Sequence, residues 1–346
     1  MRRAAVAAVG LVALAAPASA RAELAERVSA ATPVTVFGSY AAWSRYDPST
    51  KRFRLVIWHD GRARLAPIAS RRASFDADLG TGSNGRLTAV YSRCDRIFGP
   101  TRGELPIRAY DKGCSLYAYD VRRRRERRLA APSRAAGSEI LPSLSRGRLV
   151  FARVAPARAT PRLPLLISAR LGDYRERRLP RPSGWASPVV LGDNLGPVAI
   201  DVSGDRAALG WRYNAPRNAC AGESEAGTAA VSEVWLYDLV AARHRRVADD
   251  CHATIDTPTG FGFTSPGLAG SALRYAFYSG PQSRVRLAEV DLATGARTAA
   301  DLPAAGSRLL LSTQTGSGWT WIATDEVVGG RHTTAIHRER IVLTPR

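Results

Sequence analysis

Apolar residues in this chain alternate with small or polar ones in short runs, and the runs come in groups. Arg86 to Ser92, Ser115 to Asp120, Arg206 to Tyr213 and Glu233 to Leu239 all read this way. A period of two is the signature of half-buried antiparallel strands. The groups recur at roughly fifty residues, as the blades of a β-propeller do. With strands a (innermost) to d (outermost) in each blade, the first blade starts near Val34, with b at Tyr40 to Arg45, c at Phe53 to Trp58 and d at Arg64 to Ile68. The second has b at Arg86 to Ser92, c at Ser115 to Asp120 and d at Glu126 to Ala130; the third uses Arg148 to Val154, Pro164 to Ala169 and Glu176 to Leu179. The fourth uses Arg206 to Tyr213, Glu233 to Leu239 and His244 to Ala248, and the fifth Leu273 to Ser279, Val285 to Asp291 and Arg297 to Leu302. The sixth offers Trp319 to Thr324, Thr333 to His337 and Arg340 to Leu343.

The predicted fold is all-β: a single β-propeller of six four-stranded antiparallel blades over residues 34–346, preceded by a short N-terminal segment at 21–33. Ring closure has two solutions, since an N-terminal strand can complete the last blade while Arg308 to Arg346 also holds four strand-like runs. Glycines and prolines are spread through the chain, as many short strands with tight turns require. Trp43, Tyr91, Phe151, Trp211, Tyr275 and Trp319 or Trp321 fall at comparable places in strand b and read as packing between blades.

Three stretches carry a family resemblance. Leu116-Tyr-Ala-Tyr-Asp-Val121 with Arg125-Glu-Arg-Arg-Leu129, Trp235-Leu-Tyr-Asp-Leu239, and Val290-Asp-Leu-Ala-Thr-Gly-Ala-Arg297 resemble repeats of the TolB-like β-propeller family. In that family a Tyr-Asp-Leu-Ala-Thr-Gly hairpin joins strands c and d. The resemblance covers Gly85 to Pro303 and implies the propeller fold and an envelope binding partner. It transfers no interaction residue. The family's Ser-Pro-Asp-Gly before strand b is altered here to Ser145-Arg-Gly147, Ser203-Gly-Asp205 and Ser265-Pro-Gly267.

The N-terminus predicts the compartment. Arg2 and Arg3 precede an apolar run from Ala4 to Ala16, and Ala18-Ser19-Ala20 supplies the small residues of a signal-peptidase site. Residues 1–20 therefore read as a signal peptide cleaved after Ala20, and the mature chain as secreted or periplasmic. The apolar run is shorter than the roughly twenty residues that span a bilayer, so an integral membrane protein is not expected. Four cysteines suit an oxidising compartment. Cys94 ends strand b and Cys114 opens strand c of one blade, while Cys220 and Cys251 flank another on the same face; the economical pairing is Cys94 with Cys114 and Cys220 with Cys251.

The net charge of +20 is almost wholly arginine, with Lys51 and Lys112 the two lysines. The densest run is Arg122, Arg123, Arg124, Arg125, Arg127 and Arg128, broken by Glu126; Arg175 to Arg178 and Arg243 to Arg246 follow. All three fall on the hairpin from c to d or on strand d, where charge protects an outer edge from pairing with other chains. The alternative is binding of an anionic polymer, since guanidinium groups pair well with phosphate and carboxylate. Nucleic acid is disfavoured, because the basic runs lack interleaved aromatics and the chain is exported.

Catalytic motifs are lacking. Gly80-Thr-Gly-Ser-Asn-Gly85 matches G-x-G-x-x-G but leads into a strand, whereas a phosphate site of that kind needs a helix N-terminus. No G-x-S-x-G nucleophile elbow occurs. Asp249, Asp250 and His252, with Asp256, form the most ligand-like cluster, a weak metal candidate in a solvated loop. Asp76, Asp78, Asp201, Asp205 and Asp256 can face the central channel, where a glycosidase would need two carboxylates at about 5–9 Å. The expectation is a non-enzymatic, cofactor-free binding or scaffold propeller for an envelope or extracellular protein or anionic polymer. The alternative is a glycoside hydrolase or lyase acting in the central funnel.

Overall fold

The computed structural model describes residues 22–30, 32–94, 113–129, 137–154, 164–172, 175–182, 196–216, 228–252, 263–279, 284–303, 305, 309–329, 331–341 and 343–345. Every regular element among them is a strand. The N-terminal strand is β1 (Glu23–Val28). Blade 1 follows as β2 (Val34–Phe37), β3 (Tyr40–Asp47), β4 (Arg52–His59) and β5 (Arg62–Leu65). Blade 2 is β6 (Asp78–Thr81), β7 (Leu87–Arg93), β8 (Ser115–Asp120) and β9 (Arg125–Arg128); blade 3 is β10 (Ser138–Ser145), β11 (Arg148–Val154), β12 (Leu165–Arg170) and β13 (Arg177–Arg178). Blade 4 is β14 (Gly196–Ser203), β15 (Arg206–Pro216), β16 (Thr228–Asp238) and β17 (Arg243–His252). Blade 5 is β18 (Phe263–Ala269), β19 (Ala272–Ser279), β20 (Arg284–Asp291) and β21 (Arg297–Asp301), and blade 6 opens with β22 (Leu309–Gly316), β23 (Trp319–Val328) and β24 (Arg331–Glu339). The last strand is β25 (Thr344–Pro345).

Every sheet is antiparallel, four of them simple meanders, and the six together form the expected six-bladed propeller. The ring closes through the N-terminus: β1 pairs with β24 as the outer strand of blade 6. Two expectations are corrected here. Residues 23–28 belong to the propeller and not to a preceding segment, and Arg340 to Leu343 is not the fourth strand of blade 6. The chain leaves β24 and crosses to blade 5, where β25 pairs with β21. The physical reason is that a strand partner is chosen by an available edge, which local alternation does not encode.

Local chemistry explains the hairpins. Asp60-Gly61, Arg146-Gly147 and Ser317-Gly318 all have positive φ at both turn positions, the pattern of tight two-residue turns that match strand twist. Ser265-Pro-Gly267 is not such a turn; it lies at a register shift inside β18, and the turn itself starts at Gly270. The strand c aspartates have a separate task. Asp120 accepts the backbone N–H of Arg123, Asp238 those of Val240 and Ala241, and Asp291 those of Ala293 and Thr294. These bonds hold the Asp238 and Asp291 carboxyls below the usual carboxylate range. The residue four beyond each aspartate, Arg124, Ala242 or Gly295, takes the left-handed conformation that favours glycine.

The apolar core is divided into six clusters, one per seam between blades. Between blades 1 and 2, Phe53, Leu55, Phe75, Leu79 and Tyr91 pack together; between 3 and 4, Val150, Leu166, Leu209, Trp211 and Tyr237 do so. Trp43, Tyr91, Phe151, Trp211, Tyr275 and Trp321 are all buried, whereas Trp319 is half-buried. The seam between blades 5 and 6 is filled by aliphatic and alanine side chains, with Ile341 and Leu343 of the C-terminal crossing packed against it.

Candidate functional site

Two places merit attention: the central channel and the basic edge of blade 2. In each blade the inner strand ends in a turn, and the residue pair before the last hydrogen-bonded pair turns its N–H away from its own sheet. These inner-edge donors need partners. The preceding blade supplies them. Thr35 Oγ1 accepts Leu79 N–H at 3.2 Å, Asp78 Oδ2 accepts Leu144 N–H at 3.0 Å, and Ser143 Oγ accepts Val202 N–H at 2.9 Å. Asp201 Oδ2 accepts Leu268 N–H at 2.5 Å, and Gln314 Oε1 accepts Val36 N–H at 2.6 Å. Position for position, the remaining member of the ring is Gly267, which has no side chain to offer blade 6.

The ring commits the channel carboxylates. Asp78 also accepts the hydroxyls of Thr35 and Ser143, both at 2.8 Å. Asp76 accepts Ser92 N–H and Oγ–H at 2.8 and 2.6 Å and Leu141 N–H at 3.0 Å, with the Arg71 guanidinium 3.7 Å away. Burial pushes Asp78 and Asp201 above the usual carboxylate range, and the Asp78 charge pushes Asp201 further up. Asp201, Thr313 and Gln314 line a channel cavity of about 90 Å³. Asp78 does not border it. Asp205 lies on a turn at the rim, paired with Arg148, and Asp256 lies outside the described residues.

The basic run of blade 2 occupies its c–d turn and β9, the outer strand of its sheet. Arg122, Arg123, Arg124, Arg125, Arg127 and Arg128 are all exposed. Register separates them. Thr88 is opposite Asp120 and Asp120 opposite Arg125, and Ala118 is opposite Arg127, so these side chains share the face toward blade 3. Glu126 projects to the other face, where it pairs with Arg93 and accepts the Tyr91 hydroxyl proton; Arg128 donates to Ser115 Oγ at 2.8 Å. The edges of blades 3 and 4 differ: Arg177 reaches across to the carbonyls of Leu239 and Val240, and Arg246 pairs with Glu233 at 3.2 Å and Asp249 at 3.7 Å.

Cys94 and Cys114 are joined in a disulfide between the end of β7 and the start of β8. Cys251 is also disulfide-bonded; Cys220 lies outside the described residues. The weak metal candidates Asp249, Asp250 and His252 are not in a loop but along β17, because that strand runs on through Cys251. No group of three carboxylate, imidazole or thiolate side chains suited to a metal occurs among the described residues. Sequence reasoning missed Thr35, Ser143 and Gln314, which share the aspartates' place two residues before a tight turn or its equivalent. No helix among the described residues is long and apolar enough to cross a membrane. Residues 1–20 lie outside the described residues.

Six radial antiparallel sheets define the class as a β-propeller. No protein-family model matches the chain, and no curated protein does. Solved structures of similar fold include TolB from Acinetobacter baumannii, at 12% identity and a TM-score of 0.49, with 88% of this chain and 65% of that chain covered. A chain of the nidogen/laminin complex is similar at 9% identity and a TM-score of 0.47, covering 85% of this chain and 88% of that one. The β-propeller domain of the Trilobed protease from Pyrococcus furiosus is similar at 10% identity and a TM-score of 0.46, covering 91% and 82%. At such identities the likeness concerns the fold alone. This chain spans 65% of the length of the TolB chain it matches.

Proposed function

We propose that the protein is an exported, non-catalytic propeller that binds an envelope or extracellular protein or an anionic polymer, and that its repeats are of the TolB-like kind. One observation carries the reading. Thr35, Asp78, Ser143, Asp201 and Gln314 of the channel are spent on backbone donors of neighbouring blades, while the c–d turn of blade 2 keeps arginines with no carboxylate partner among the described residues. Export after cleavage near Ala20 is supported by the Cys94–Cys114 bond, a linkage that oxidising compartments maintain.

The alternative, a carbohydrate-active enzyme, draws on the raised pKa of Asp78 and Asp201, since perturbed carboxyls mark acid–base sites. The cavity argues against it. Ligand sites commonly measure about 300–1,000 Å³, well above the 90 Å³ of the channel cavity that Asp201 lines, and Asp78 is not among that cavity's lining residues. The test immobilises the disulfide-intact protein against envelope extract of its own host and elutes with graded salt, beside a variant carrying Arg122→Glu, Arg123→Glu and Arg125→Glu. A component retained by the native chain and lost by the variant supports the proposal. Glycan turnover by the purified protein that disappears in Asp201→Asn would replace it with the enzymatic reading.

A further inference from the structure

The turn from Gly82 to Arg86, the blade 2 hairpin and Leu171 of blade 3 enclose a cleft of about 280 Å³ on the outer side of the seam. Its turn wall is braced by hydrogen bonds. Gly82 N–H bonds to Arg86 O, Gly85 N–H to Gly82 O, and Arg86 N–H to Asn84 Oδ1. Gly147 of blade 3 backs it so closely that a Cβ there would stand 2.8 Å from Ser83 Cα. The polar lining is Ser83, Asn84 and Thr88, and the charged lining includes Arg123, Arg125 and Arg127.

The charge balance of the cleft is one-sided. Asp120 is engaged by Arg123 N–H and stands 3.9 Å from Arg86; Glu126 is engaged by Arg93 and Tyr91. Both carboxylates are therefore committed. Among the described residues, the Arg123 and Arg125 side chains form no ion pair or side-chain hydrogen bond. Unpaired guanidiniums beside neutral hydroxyl and amide groups suit an oxyanion carried on a hydroxylated body, because the fork of donors matches phosphate and sulfate oxygens and the neutral groups match hydroxyls.

We propose that this cleft binds a sugar unit bearing a tetrahedral oxyanion ester, phosphate or sulfate, and so forms the anion-reading site of the binding function proposed above, on which this inference rests. The G-x-G-x-x-G turn of Gly80 to Gly85 thereby lines an anion site without a helix, its side chains and not a helix dipole facing the ligand. The test is calorimetric titration of the full disulfide-intact protein at low salt with glucose 6-phosphate, glucose 6-sulfate, glucuronate and glucose. The native protein is compared with two double variants, Arg123→Ser with Arg125→Ser, and Arg243→Ser with Arg245→Ser. All four arginines are exposed, and thermal unfolding checks that both variants fold.

At least one ester binds, the cleft variant weakens it by at least tenfold, the control variant changes it by less than twofold, and glucose gives no heat. Which ester binds more tightly identifies the group. Equal weakening in both variants, no binding of either ester, or glucuronate binding as tightly as the esters overturns the inference. If the cleft variant still retains polymer from the envelope extract as the native chain does, the cleft is refuted while the binding function stands. If the native chain retains nothing, the binding function falls as well.

Discussion

Replacing Gly267 by serine should stabilise the ring, because Gly267 occupies the position where four other blades place a hydroxyl or carboxylate and blade 6 places Gln314. Gly267 does not take the left-handed conformation, and an added Cβ would meet only Asp201 Oδ2, at an ordinary 3.7 Å. A serine there copies Ser143, whose Oγ accepts the N–H of Val202 in the next blade at 2.9 Å, and its counterpart donor is Thr315 N–H. Such a hydrogen bond contributes about 0.5–1.5 kcal/mol net. Losing glycine's extra freedom in the unfolded chain contributes about 0.4–1 kcal/mol more. The expected gain is therefore about 1–2.5 kcal/mol. It falls on the seam whose core shows no aromatic side chain among the described residues. Urea unfolding followed by tryptophan fluorescence should show a higher midpoint with an unchanged slope. An unchanged or lower midpoint would refute the argument, since it would mean that Thr315 N–H lacks nothing or that serine disturbs the Asp201 bond to Leu268.

Four further outcomes follow from the same geometry. The folded protein holds the protons of Asp78 and Asp201 more tightly than the unfolded chain, so their contribution is complete below about pH 4 and is lost as pH rises toward about 7; stability of Asp201→Asn measured across that window should fall less steeply than that of the native chain. Replacing Cys94 and Cys114 by serine opens a link between residues 20 apart in sequence and should cost about 3 kcal/mol, read as a lower unfolding midpoint that matches the reduced native protein when the second disulfide is accounted for. Gly80→Ala places a Cβ 1.7 Å from Leu144 O, backbone that cannot swing aside, so expression in soluble form should collapse; near-native yield would contradict the inner-strand packing. A chain beginning at residue 32 lacks β1, exposes the edge of β24 and removes the Glu26 carboxylate from Arg45 and Trp43, and light scattering should detect self-association that the intact chain does not show.

The strands of this propeller were legible because alternation is local: in a run such as Ser115 to Ala118, Leu116 and Ala118 are buried while Ser115 and Tyr117 are half-buried. The aromatics of strand b read correctly as seam packing for the same reason. The candidate site was legible only in part. The run Arg122 to Arg128 is visible as charge, yet its division into a cleft face and a Glu126 face depends on pairing register with β8, and the value of Gly82 to Asn84 depends on a neighbouring blade. Ring closure was ambiguous because β1 and residues 340–343 have comparable local patterns.

The amino-acid sequence by itself determined the all-β class, the six-fold repeat, the tight turns and the excess of arginine, since each follows from residue spacing, φ preference or composition. Only the tertiary structure decided that Asp78 and Asp201 hold blades together beside Thr35, Ser143 and Gln314, that Gly267 leaves one seam without its link, and that Arg123 and Arg125 remain unpaired among the described residues over a cleft. Those outcomes depend on which donors and charges meet across seams between residues tens to hundreds of positions apart. A side chain's partner is set by what the packed neighbours leave unsatisfied, and no local pattern carries that information.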